Sequence, residues 1–181
     1  MFTYKIDEEV SLKLPELSDA ERVLQLIDRS RNSLYEWLGW VQYTNSTQDM
    51  TQFIENSRND FAANKSLVTF IVYQNQIVGT TGFNQIDWTN SNGTIGYWLD
   101  TKYKGKGIMT RAVQGLLNYG FDELKLNRIE IRAAIENLKS RAIPERLGFK
   151  QEGVIRQAEK LPKGYVDHAV YGLLKEEWNK Q

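Results

Sequence analysis

The chain contains no cysteine. Disulfides, a thiolate nucleophile and cysteine-ligated zinc are therefore excluded, and no metal is expected. A covalent route through an acyl-cysteine goes with them. Neither sign of charge is in excess, since Lys+Arg and Asp+Glu number 23 each. A polyanionic partner needs a basic excess on some face, so nucleic acid is not expected as a partner. No apolar run approaches the ~20 residues of a membrane span. Lys5, Asp7, Glu8 and Glu9 stand where a signal peptide would carry its apolar core. No membrane partner is expected, and the sequence reads as cytoplasmic. Proline is scarce, with three in 181 residues, and no repeat or linker divides the chain. What is present, 41% hydrophobic and 25% charged residues, suits a single domain over 1–181. A domain of that length buries roughly 70% of its unfolded surface.

Residues 4–14 alternate loosely and read as a first strand. Ser18, Asp19, Ala20 and Glu21 have the form of a capping box, and Val23, Leu24, Leu26 and Ile27 follow at helical spacing. A second short helix is expected over 31–40 and a third over 47–64, with Met50, Phe53, Ile54 and Phe61 on its apolar side. The runs 67–73 and 77–83 are apolar and β-branched and are joined by Gln74, Asn75 and Gln76, which predicts a hairpin. A further strand covers 94–99, and Ile108, Ala112, Val113, Leu116, Leu117 and Phe121 predict a long helix over 108–124. Residues 128–135 alternate strictly, and 138–147 form a short helix ended by Gly148 and interrupted by Pro144, which should kink it. The segments 154–161 and 166–174 close the chain as a hairpin around Pro162, Lys163 and Gly164. This order predicts an α+β fold with a mixed sheet, not a doubly wound parallel one.

Two loops carry chemistry. Lys104, Gly105, Lys106, Gly107, Ile108, Met109 and Thr110 lie between a strand and the long helix. Closely spaced glycines let a backbone approach a ligand, and the first-turn amides of a helix are unpaired donors, so the segment has the makings of an anion site. Lys104 and Lys106 add positive charge. It lacks the Gly-Lys-Ser/Thr ending of a P-loop and the third glycine of a dinucleotide fingerprint. The second loop holds Asn137, an apt N-cap, and Ser140, whose hydroxyl can face a ligand or solvent. Both loops follow strands at one sheet edge, with room between them for a long phosphate-bearing cofactor. His168, a lone histidine on an apolar strand, reads as structural rather than as a triad member. Trp37, Trp40, Tyr43 and Trp98 read equally well as walls of an acceptor pocket, where a cation would sit over their faces, and as core.

The glycine loop, Asn137-x-x-Ser140 and the run Arg146, Leu147, Gly148, Phe149 resemble the acetyl-CoA signatures of the GNAT acetyltransferases. Lys102 stands where Gln or Arg is usual. Within that family three stretches are similar to the RimL type, which acetylates the N-terminal serine of a ribosomal protein. They are Trp37 to Trp40 with Gln42 and Tyr43, Gly96 to Asp100, and Gln157 to Glu159 with Gly164, Tyr165 and Asp167. The resemblance implies a mixed, mostly antiparallel sheet flanked by helices, with splayed central strands holding acetyl-CoA. It implies cofactor contacts from Trp98, Leu99, Lys104, Gly105, Lys106, Gly107, Ile108, Met109, Thr110, Asn137 and Ser140. Acceptor contacts would come from Trp37, Trp40, Tyr43 and Tyr97, with Glu159 as general base and Ser140 as general acid. The acceptor would be the N-terminal amine of a protein. A polyamine, an aminoglycoside or a lysine side chain stays open as acceptor, as do a CoA-binding sensor without turnover and a homodimer.

Overall fold

The computed structural model describes residues 2–179. Eight strands form one sheet: β1 (Thr3–Lys5), β2 (Val10–Lys13), β3 (Leu67–Tyr73), β4 (Gln76–Asp87), β5 (Asn92–Leu99), β6 (Arg128–Ala134), β7 (Lys150–Leu161) and β8 (Gly164–Leu174). Their order is β1-β2-β3-β4-β5-β6-β8-β7. Every neighbouring pair is antiparallel except β5–β6. The helices α1 (Ala20–Tyr35) and α2 (Thr47–Ala62) pack on one face. On the other lie α3 (Ile108–Asn118) and α4 (Leu138–Arg146), and a single turn, α5 (Lys175–Trp178), follows β8. Strand alternation feeds both layers. On β3, Phe70 joins Val23, Leu26, Ile27 and Ile54 of α1 and α2, whereas Ile71 joins Ala112, Leu116 and Leu117 of α3.

The α+β reading and the hairpins are as expected. Gln74 and Asn75 both take positive φ, 47° and 64°, which is the type I′ turn whose twist matches the flanking strands. Several boundaries differ. The expected strand over 4–14 is a hairpin, because the Asp7 carboxylate accepts from the amides of Glu9 and Val10 and turns the chain. Ser18 is not a cap. The side-chain bond forms one turn earlier, where Asp19 accepts from the Glu16 amide at 2.9 Å while pairing with Lys13. No separate helix covers 31–40, since Val23, Ile27, Ser30 and Leu34 continue one buried stripe to the end of α1. A short 3-10 turn, Gly39–Tyr43, follows. Phe53 and Phe61 stay 40% and 41% exposed, so α2 meets the core through Met50 and Ile54 instead. The long helix ends at Asn118 and passes into a wide turn, Tyr119–Glu123, that keeps Phe121 buried.

The parallel pair sets the shape of the sheet's centre. β5 and β6 are in register from Asn92–Arg128 to Ile95–Ile131, and there the ladder stops. β5 nevertheless stays paired with β4 through Leu99, and β6 with β8 through Ala134. The two strands are thus held on their outer edges and part on their inner ones. Their carboxyl ends open a wedge, and the loops that follow stand on its two lips.

One lip is anchored by Asp100, which is fully buried at the end of β5. Its carboxylate accepts from Arg29, from Ser30 Oγ at 2.9 Å and from the Lys102 amide at 3.2 Å. Burial alone would push this carboxyl up, but those hydrogen bonds and the Arg29 charge hold it below its ordinary value. Such a group stabilises the fold above the unfolded carboxylate value of about 4, and the contribution is lost as the pH falls through the lowered folded value. Asp100→Ala removes the acceptor shared by Arg29, Ser30 and the Lys102 amide and should cost about 1–3 kcal/mol. Thermal melts from pH 7 down to pH 2 check this by about that loss at neutral pH and a flatter acid dependence in the variant.

Candidate active site

The first lip is the loop from Asp100 to α3. Gly105 and Gly107 adopt φ of 79° and 71°, left-handed conformations that favour glycine. Gly107 is also the N-cap of α3 and has no side chain to cap it, so the amides of Ile108 and Met109 keep no side-chain partner there. The side chains of Ile108 and Met109 go into the core. Lys104 reaches across to α1, donating to Ser33 Oγ at 2.9 Å. Burial and the nearby positive charge of Lys139 push its amine below the ordinary value. Lys104 and Lys139 belong to opposite lips, so two cations converge where an anion would relieve both. Lys102 and Lys106 turn elsewhere, lying over the Tyr103 ring at 5.8 and 5.4 Å from its centroid. Thr110 accepts from Arg146 at 3.2 Å and ties α3 to α4.

The second lip is the start of α4. Asn137 is its N-cap, its Oδ1 accepting the Ser140 amide at 3.2 Å. Across the wedge, Tyr97 of β5 donates its hydroxyl to the Ser140 carbonyl at 2.8 Å, and the Ser140 hydroxyl lies 3.5 Å from the same phenol oxygen. Pro144 explains why that carbonyl is available. In a regular helix the amide of residue 144 would bond the carbonyl of residue 140, and proline has no amide to give. Burial pushes the Tyr97 phenol well above its ordinary value, against the lowering effect of its bond with Ser140. It therefore stays a neutral donor at every working pH.

The opposite face carries a different set. Tyr171 of β8 bonds Arg141 and Glu145 and so faces α4. Alternation turns His168 and Val170 to the α1 and α2 side, the side of Trp98. His168 Nε2 lies 2.9 Å from Glu159 Oε2. A bulge makes this contact possible. Ile155 pairs with His168 and Glu159 with Val166, so Arg156, Gln157 and Ala158 oppose the single residue Asp167. Gln157 takes φ of 49° there, and its amide donates to Asp167 Oδ1 at 2.7 Å. Without the two extra residues Glu159 would fall two positions toward the turn, about 7 Å along the strand. Lys163 in that turn pairs with Glu36 at 2.7 Å and ties the hairpin to the end of α1.

The aromatic set is only partly assembled. Trp40 and Trp98 meet with ring centroids 6.2 Å apart. Trp37 is half-buried, and Tyr43 is 74% exposed. Leu99 is core. Sequence reading missed the Glu159–His168 contact, the bulge that makes it and the anchoring role of Asp100. The one available signal was that the lone histidine sits nine residues from the candidate base. Among the described residues no cluster of acidic or histidine side chains is suited to a metal.

The Pro144 argument has a direct test. Tyr97→Phe removes the donor that the Ser140 carbonyl takes across the wedge and should destabilise the parent by about 1–3 kcal/mol. In a Pro144→Ala background the restored amide takes that carbonyl, so the same change should cost about 1 kcal/mol or less. A double-mutant cycle in denaturant measures the difference, and equal costs in both backgrounds would contradict it.

A family model described as "Acetyltransferase (GNAT) domain" matches residues 9–150. The chain is 36% identical to the candidate ribosomal N-acetyltransferase YdaF of Bacillus subtilis (strain 168), over 98% of both chains. It is 28% identical to the ribosomal-protein-serine acetyltransferase of Escherichia coli (strain K12), over 95% of this chain and 96% of that one. A solved structure of RimL, a ribosomal L7/L12 alpha-N-protein acetyltransferase in complex with coenzyme A, superposes with a TM-score of 0.94 at 26% identity, covering 97% of this chain and 99% of that chain. The likeness thus extends over the split sheet and both of its lips, and the chain belongs to the GNAT family of N-acetyltransferases.

Proposed function

We propose that the protein moves the acetyl group of acetyl-CoA onto the N-terminal α-amine of a protein, a ribosomal one by likeness to the relatives above. The observation that supports this best is the parted β5–β6 pair with a different chemistry on each face. The pyrophosphate would lie on the amides of Gly105, Gly107 and Ile108, near Lys104 and Lys139, and the thioester would enter the wedge. An α-ammonium group loses its proton near pH ~8, so at neutral pH a base must remove it. Glu159 takes that proton, the free amine attacks the thioester carbonyl, and β5 amides no longer bonded to β6 stabilise the oxyanion. The carbon–sulfur bond then breaks, and the Ser140 hydroxyl, in contact with Tyr97, protonates the departing thiolate. The absence of cysteine favours direct transfer within one ternary complex over an acyl-enzyme, for which only Ser or His would be left. Trp40 and Trp98 would line the acceptor's approach.

Acetyl transfer to a panel of Ser-starting peptides, polyamines and aminoglycosides, read by mass spectrometry, tests the acceptor class. Peptide acetylation is expected. A polyamine or aminoglycoside preference would redirect the acceptor, and no transfer at all would leave a CoA-binding protein. Gly107→Glu puts bulk and like charge into the loop and should weaken acetyl-CoA binding by more than about tenfold, about 1.4 kcal/mol. Calorimetry checks it, and unchanged affinity would remove the loop from the site. Ser140→Ala and Glu159→Gln should each lower kcat by roughly 10²–10⁴ with acetyl-CoA affinity kept. The Glu159→Gln defect should shrink as pH approaches the amine's own value, because solvent then deprotonates it. A pH-independent loss would assign Glu159 a merely structural part.

A further inference from the structure

Glu159 does not stand alone. A carboxylate offers only acceptors, so the proton shared across the 2.9 Å contact belongs to the ring, on Nε2. Nδ1 makes no hydrogen bond among the described residues. The backbone beneath the ring is held on both sides, since β8 is paired at this point with Ala134 of β6 and Ile155 of β7. The His168 side chain is 17% exposed and that of Glu159 37%, so the histidine lies behind the carboxylate, which meets solvent. The bulge held by Asp167 has the effect of bringing the carboxylate to this ring.

We propose that His168 is the positioning residue of the base; this rests on the reading of Glu159 given above. The ring donates Nε2–H to Oε2, which holds the carboxylate by one oxygen and leaves Oε1 for the acceptor amine.

The surrounding charges leave the pair to itself. On the same face of β6, Arg132 is taken by Glu130. Arg156 is exposed in the bulge of β7. From the α1 side Glu36 is paired with Lys163. Asp167, next in β8, is on the opposite face and occupied by the Gln157 amide.

The test is kcat at neutral pH for the parent, His168→Gln, His168→Ala, Glu159→Gln and the His168→Ala/Glu159→Gln double variant, with a Ser-starting peptide and acetyl-CoA saturating and thermal melts alongside. His168→Gln keeps an N–H donor and should recover most of the rate that His168→Ala loses, to within about threefold of the parent. His168→Ala should lose about ten- to a hundredfold in kcat with the KM for acetyl-CoA unchanged. The double variant should be no slower than Glu159→Gln alone, because His168 acts only through Glu159. A His168→Gln protein as slow as His168→Ala, a parent kcat in His168→Ala, or multiplied losses in the double variant would each overturn the inference. A Glu159→Gln protein at the parent rate would overturn the base reading itself, and this inference with it, whatever the histidine variants do.

Discussion

The fold turns on one broken ladder. β5 and β6 could continue as a parallel pair beyond Ile95 and Ile131, yet they part there while each keeps its outer partner. Backbone donors and acceptors that lose a strand neighbour must find another partner. On the reading proposed above, that partner would be an extended ligand, its reach set by how far the strands diverge. Because β5 and β6 run the same way, their loops emerge on one edge, which is where the glycine turn and the Asn137–Ser140 turn face each other. A fully antiparallel centre would have placed them at opposite ends of the sheet.

The lips are held by contacts that reach well beyond the wedge. Asp100 binds the first to α1 through Arg29 and Ser30. Tyr97 binds the second to β5 through a carbonyl that Pro144 leaves without its helical donor. A proline in a nine-residue helix weakens it locally, and here that cost is offset by a bond across the gap. Alternation along β5 then separates two environments within two residues. Tyr97 faces α4 and Ser140, whereas Trp98 faces Trp40 and the side of Glu159 and His168. The chain can therefore offer a hydroxyl to one side of a reacting carbonyl and a carboxylate to the other.

Much of this was legible in the sequence, for identifiable reasons. The β3–β4 hairpin, the strand–glycine loop–helix unit and the Asn137 cap are local, and local chemistry determines them. The glycines at 105 and 107 mark left-handed turns directly. What escaped notice depends on partners far away in the chain. Asp100 reads as a strand end until α1 lies against it. The two extra residues of β7 leave no trace in periodicity, since an even insertion preserves the alternation of faces. His168 looked structural because nothing in its own strand names a partner. Likewise the N-terminal strand became a hairpin through Asp7, whose side chain competes with the ladder for its own backbone.

The claim on which the account depends most is that acetyl-CoA occupies the wedge between β5 and β6. Amide hydrogen exchange resolved by residue, with and without acetyl-CoA, measures this directly and needs no substitution. Slower exchange is expected at 96–99 on β5 and 105–108 in the glycine loop, with β1 to β3 unchanged. Saturating acetyl-CoA that leaves those two segments unprotected, or protects only residues elsewhere on the sheet, would contradict it.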